Sequence, residues 1–254
     1  METLLKKDRL IVLVALACIT ASAWAYTIHE ARGMAFGACC NMVAPDTNRW
    51  DTSTLPPLFF MWAEMMVAMM VPSAAPMVLT FAAVNRKRRE QERPFTPTVI
   101  FLAGYLFVWT AFSALAAVAQ WILHATTLLS PMMVGNSPLF GGTLLVAAGI
   151  FQWTPLKNTC LTRCRSPLGF LMTDWRDGKA GALVMGLKHG AYCTGCCWIL
   201  MLLLFVAGVM NLFWIAIITV FVLLEKMAPD RLRFGKITGT ILVFWGLWMI
   251  MRAV

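Results

Sequence analysis

Charge is what this sequence has least of. Only 13% of its 254 residues are Asp, Glu, Lys or Arg, against 60% hydrophobic, so a soluble fold would leave much of its apolar surface facing water. No internal repeat or low-complexity tract is visible, which excludes a repeat array and a disordered linker. A disulfide framework is missing as well. Of the eight cysteines, Cys18, Cys160, Cys164, Cys193, Cys196 and Cys197 fall in apolar runs or in loops on the basic, reducing side, where thiols stay reduced. Cys39 and Cys40 are adjacent, a spacing whose bridge is strained; metal binding, a redox partner and plain burial stay open for them.

What the chain does have is a succession of apolar runs long enough to cross a bilayer. The expected fold is all-α: a polytopic transmembrane helical bundle of about seven spans with the N-terminus inside, at 10–28, 58–84, 98–123, 139–153, 191–210, 212–226 and 237–251. A cleavable signal peptide competes for the first span, since Ala21-Ser-Ala23 and Ala23-Trp-Ala25 resemble cleavage sites. A retained helix is preferred because the apolar run continues past them. Residues 1–57 form an N-terminal span plus outer loop, and 58–254 a continuous membrane helical domain. Segment 166–188, charged yet rich in apolar residues, reads as an interfacial helix.

The formal net charge of +9 would raise nucleic acid as a partner in a soluble protein. Its distribution removes that reading. Eighteen of the 21 Lys and Arg residues fall in four groups, around 6–9, 86–93, 157–188 and 226–236, that alternate with the spans. Cytoplasmic loops retain Lys and Arg, so these groups lie inside. The expected partners are membrane lipid and a metal ion, and the setting a cytoplasmic membrane crossed several times.

Soft ligands are concentrated in Gly186-Leu-Lys-His-Gly-Ala-Tyr-Cys-Thr-Gly-Cys-Cys-Trp198. On a helix, His189, Cys193, Cys196 and Cys197 fall at i, i+4, i+7 and i+8 and share one face. Thiolate and imidazole suit Cu(I), Zn(II) or an iron–sulfur cluster. Free cysteine also packs as a small hydrophobe, so coincidental packing competes. Gly186 and Gly190 beside that face would let a second helix approach closely. A hairpin turning near Asn211 brings Glu225 level with Cys197, and Lys226 with Cys196, within about a turn. Glu225 could ligate metal or pair locally with Lys226 or Arg231. Cys160 and Cys164, at i and i+4, lie on the same side of the membrane, where Lys157, Arg163 and Arg165 favour thiolates.

Toward the opposite face, Met61, Met65 and Met69 form one helical row, and Met66, Met70 and Met77 another. Thioethers are neutral soft ligands that select Cu(I), although methionine is also an ordinary core filler. Glu64 strengthens the functional reading, because a carboxylate inside a membrane helix is costly. Pro72 and Pro76 are expected to kink or open this helix. His29 and His124, with Cys39 and Cys40, mark a weaker outer candidate.

The motifs Met65-Met-Val-Ala-Met-Met-Val-Pro-Ser73, Gln152-Trp-Thr-Pro-Leu-Lys-Asn-Thr-Cys-Leu-Thr-Arg-Cys-Arg165, the Gly186–Trp198 stretch and Glu225-Lys226 resemble the bacterial family called domain of unknown function 2182. That family is described as predicted metal-binding integral membrane proteins, and the resemblance runs from about residue 58 to the C-terminus. It implies a metal-binding membrane domain in a bacterial inner membrane. The leading expectation is a protein that binds a soft transition metal, copper favoured and zinc possible, and moves it or hands it over. A metal chaperone or a larger membrane complex is the candidate partner. The alternatives are a membrane thiol-disulfide oxidoreductase using Cys193 and Cys196, and a non-catalytic subunit of a membrane complex.

Overall fold

The structure is a computed structural model that describes residues 2–35, 52–90, 96–129, 135, 137–228 and 234–253. Its helices are α1 (Glu2–Ala35), α2 (Leu55–Glu90), α3 (Thr98–Ala125), α4 (Pro138–Phe151), α5 (Pro155–Arg165), α6 (Pro167–Asp174), α7 (Gly178–Leu202), α8 (Leu204–Ala207), α9 (Leu212–Met227) and α10 (Phe234–Met251). Among the described residues the only β pairing is an isolated bridge between Leu129 and Gly135. The fold is all-α. Five helices are long and apolar enough to cross a membrane, or six if α4 and α5 together form one bent span. Large apolar side chains such as Phe107, Leu115 and Phe244 point outward, as lipid-facing helices require.

Where the chain breaks is set by local chemistry. The residue before proline is pushed away from helical geometry, so Thr154 adopts φ −69°, ψ 145° ahead of Pro155. The axis bends by 64° between α4 and α5. Ser137, Thr154 and Asn211 each accept an amide N–H with their side chain at a helix start, satisfying one donor that the first turn leaves unpaired. Gly208, with φ 97°, ends α8 in a conformation that side chains disfavour.

Two expectations change here. Residues 178–188 were expected in an interfacial segment, with the fifth span opening near 191, but α7 runs unbroken from Gly178. The cysteine motif therefore sits in the middle of a long helix. Helix propagation past Lys188 is aided by an ion pair, since its Nζ lies 2.6 Å from Asp174 Oδ1 at the end of α6. The expected fourth and sixth spans are the 14-residue α4 and the 16-residue α9, each too short to cross alone, so the seven expected spans become five, or six with α4 and α5 taken together.

Packing follows a chain of neighbours, α1 on α2, α2 on α3, α3 on α7, with α5 against α7 and α10 against α4. The closest approach is between α3 and α7. A Cβ on Gly186 would come within 2.1 Å of the Phe101 carbonyl oxygen, and one on Gly104 within 2.5 Å of the Leu183 carbonyl oxygen. Absent side chains on both helices bring the backbones together, and that fixes the face of α7 turned toward the core.

α2 stays a single helix through both of its prolines. Pro72 has no N–H to give to the carbonyl four residues earlier, which is Ala68, and the Trp24 indole N–H donates to that oxygen at 3.1 Å. The α1–α2 contact thus satisfies the acceptor that proline frees. At the C-terminal end of α2, Asn85 donates to the Thr96 carbonyl, and Arg88 reaches Asp177 at 2.5 Å. At the other end, Trp62 donates to Gln120 Oε1 at 2.6 Å. α2 and α3 are therefore tied together near both ends, and α2 to the start of α7 near one of them.

Candidate metal centre

The soft ligands meet in the core between α2, α5, α7 and α9. Cys193, Cys196 and Cys197 are fully buried, and Cys160 and Cys164 nearly so. All five are free thiols. Cys164, on α5, is close enough to Cys193 and Cys196 of α7 for their charges to interact. The thiols of Cys196 and Cys197 also donate to the Cys193 carbonyl at 3.1 and 3.0 Å, a back-bond available to a short polar side chain on a helix. Cys160 packs its sulfur against Gly195, where a Cβ would come within 2.9 Å of it.

Methionine joins this group from α2. Met65, Met66, Met69, Met70 and Met77 are fully buried and Met61 nearly so, and Met70 Sδ lies 4.0 Å from Cys197 Sγ. The two clusters were expected in opposite halves of the membrane, but here the methionine helix touches the cysteine helix directly. Glu64, half-buried, stands one turn from Met61 on α2. Its charge interacts with Glu30 of α1, which also bonds Tyr26.

Charged groups complete the centre. Lys226 Nζ, from α9, lies 3.0 Å from Cys193 Sγ and donates to Ser73 Oγ at 2.7 Å. Tyr105 from α3 sits with its hydroxyl 3.1 Å from the same sulfur and 3.0 Å from the Met70 carbonyl. An ammonium beside sulfur offsets the charge of a thiolate. Glu225 turns the other way. Its two oxygens accept from Lys157 Nζ at 2.6 and 2.8 Å, and Arg165 donates to its backbone carbonyl at 2.9 Å. It pairs with neither Lys226 nor the thiols, because Lys157 of α5 reaches it first across the interior.

His189 is buried and held by rings. Phe101 and Tyr105 stack on it with centroids 6.1 and 5.6 Å away, and Phe170 meets it edge-on at 5.7 Å. Its Nδ1 is buried without a hydrogen-bond partner. Such an orphan is costly unless something else uses it. Among the described residues, no group of three or more His, Cys, Asp or Glu side chains stands in an arrangement that could hold a metal ion. Two of the thiols donate to a carbonyl, and Lys226 stands beside the third. The donor set remains soft nonetheless, with thiols and a thioether in contact and an imidazole nitrogen unspent, and soft sulfur suits Cu(I). His29 is exposed on α1 and His124 buried on α3. Cys39 and Cys40 lie outside the described residues.

Tyr105 and Ser73 were missed from sequence; Lys157 was noted only for its effect on the Cys160 and Cys164 thiols, and Lys226 only for its level and as a possible partner of Glu225. Lys226 carried the one available signal, a cation closing an otherwise apolar helix. Tyr105 and Ser73 looked like ordinary members of theirs, since nothing in a linear pattern tells which helices will meet.

Fold and centre together define an all-α protein of membrane-length helices with a buried sulfur-rich core. The family PpoB2, described as "Copper chaperone", matches residues 59–249. The chain belongs to that family, and its function is copper-related. The match carries this description rather than the family name under which the sequence motifs were first placed. No curated protein and no solved structure matches the chain.

Proposed function

We propose that this chain takes up Cu(I) within a bacterial inner membrane and hands it on, with copper as cargo. The contact of Met70 with Cys197, inside a core that also buries Cys164, Cys193 and Cys196, is the observation that carries the reading. Glu64 and the row Met61, Met65, Met66, Met69, Met70 form the approach from the outer side. Thioethers hold Cu(I) without neutralising its charge, so transfer to an anionic thiolate runs downhill. Cys193, with Cys196 and Cys197, is the acceptor, and Cys160 and Cys164 on α5 carry the ion toward the inner face. Zinc, also a thiolate metal, is bound less well by the thioether half.

Two protein groups prepare the acceptor. Lys226 at 3.0 Å and Tyr105 at 3.1 Å both face Cys193 Sγ, holding its charge without metal. His189 has Nδ1 available as a further donor once its ring moves within the aromatic cage. Glu225 takes no metal in this reading; its carboxylate is spent on Lys157.

The test is copper content. Protein purified after growth with copper, then reduced and desalted, should retain Cu(I), and the double substitution Cys193→Ser, Cys196→Ser should lower retention at least tenfold while the helical content stays unchanged. Equal copper in both proteins would rule the acceptor out. Thiol trapping on the same samples separates the oxidoreductase alternative, which requires Cys193 and Cys196 to change redox state without metal.

A further inference from the structure

Lys157 and Lys226 are the buried lysines among the described residues, and they are compensated differently. Lys157 meets a carboxylate, with its Nζ 2.6 Å from Glu225 Oε1. Lys226 has Ser73 Oγ at 2.7 Å and Cys193 Sγ at 3.0 Å, and among the described residues no carboxylate stands within salt-bridge distance of it. Its ammonium is the cation of the sulfur centre, and its charge also interacts with Cys196 and Cys197.

The ammonium is tethered on the side away from the sulfur. Ser73 gives its one hydroxyl proton to the Met70 carbonyl at 2.9 Å, so its oxygen is turned to accept from Lys226. The stem comes from α9 and the tether from α2. An ion arriving at Cys193 therefore meets a fixed positive charge rather than a loose side chain. A metal–thiolate bond is about 2.3 Å long. With Nζ 3.0 Å from the same sulfur, ion and ammonium stand no more than about 5 Å apart. Their repulsion grows in proportion to the charge of the ion, and with the effective screening of a protein interior a second elementary charge at that separation lowers affinity about a hundredfold.

We propose that Lys226 is a charge filter at Cys193, one that admits monovalent soft ions and disfavours divalent ones. The inference rests on the reading of the sulfur centre as a copper site and gives its selectivity a cause other than softness. Thioether and thiolate softness separates Cu(I) from ions that prefer oxygen, but it does not reject Cd(II), which is soft as well. The ammonium disfavours Zn(II) and Cd(II) alike, on charge. Removing it also weakens the thiolate, but every ion that binds that thiolate loses by the same amount, so a ratio of affinities isolates the charge.

The test uses the reduced full-length chain in a neutral detergent without oxygen, titrated with Cu(I), Ag(I), Zn(II) and Cd(II) against chelators of known affinity. The wild-type chain should hold Cu(I) and Ag(I) more tightly than Zn(II) and Cd(II). Lys226→Met and Lys226→Gln, the second of which keeps a donor for Ser73, should each raise the affinity for Cd(II) relative to Ag(I) about a hundredfold. Lys226→Arg should restore the wild-type ratio, and Lys87→Met, at an exposed side chain of α2, should leave it unchanged. A wild-type chain that holds Cd(II) as tightly as Ag(I) overturns the filter without any variant. So does an unchanged ratio in the neutral variants, or a ratio that shifts as far in Lys226→Arg as in them, which would assign the effect to packing. Failure of the copper reading looks different: no ion binds the wild-type chain, or Cys193→Ser leaves the binding of all four unchanged.

Discussion

At the scale of single residues, charge placement inside an apolar core is the dominant fact. Lys157 and Glu225 are 1% and 2% exposed and 2.6 Å apart. Breaking a buried pair from one side leaves an uncompensated charge and typically costs about 3–5 kcal/mol, whereas replacing both partners with apolar groups is often near neutral. Lys157→Met alone should therefore lower thermal stability in detergent far more than Lys157→Met combined with Glu225→Leu. Equal losses would mean that the pair does not hold the α5–α9 contact. Lys226 follows the same physics with different partners, because its ammonium lies on the Cys193 sulfur and donates to Ser73 rather than meeting a carboxylate. This makes it part of the sulfur centre.

At the scale of elements, the α1–α2 contact has a chemical cause that can be separated from packing. Trp24 donates to the carbonyl that Pro72 leaves without an intrahelical partner. Trp24→Phe should cost about 1–3 kcal/mol, the penalty for an unsatisfied buried acceptor. In a Pro72→Ala background the helix can supply its own N–H to Ala68, so the same Trp24→Phe change should cost less. A double-mutant cycle read by unfolding in detergent measures the difference; additive penalties would mean that Trp24 acts through packing alone. The α7 element shows how much of the centre was visible beforehand. The one-face spacing of His189, Cys193, Cys196 and Cys197 follows from helix geometry, and so does the approach of another helix at Gly186. That the approaching helix is α3, bringing Tyr105 to Cys193, depends on long-range packing that no local period encodes.

At the scale of the whole molecule, the contacts bring two of the basic groups to the same end of the bundle. Arg88 at the end of α2 pairs with Asp177 ahead of α7, and its guanidinium stacks on Trp175 with 4.7 Å to the ring centroid. Two of the basic groups expected inside thus touch. The opposite ends are joined by the Gly135 amide on the Phe205 carbonyl at 3.0 Å. A membrane-impermeant thiol reagent on intact cells should label Thr126→Cys, while Lys87→Cys should react only after the membrane is opened. The reverse pattern would invert the orientation and, with it, the direction proposed for copper.

The sequence by itself determined the all-α class, a set of membrane-length apolar helices and the presence of soft ligands on single helical faces. Each of these depends on composition or on a period of a few residues, which local chemistry sets. The tertiary structure alone decided that the methionine row of α2 meets the cysteines of α7 rather than standing apart from them. It also gave Glu225 to Lys157 and Lys226 to Cys193. In a low-dielectric interior each buried charge must find a partner somewhere. Which one it finds depends on helices that are distant in sequence, and only the folded chain brings them together.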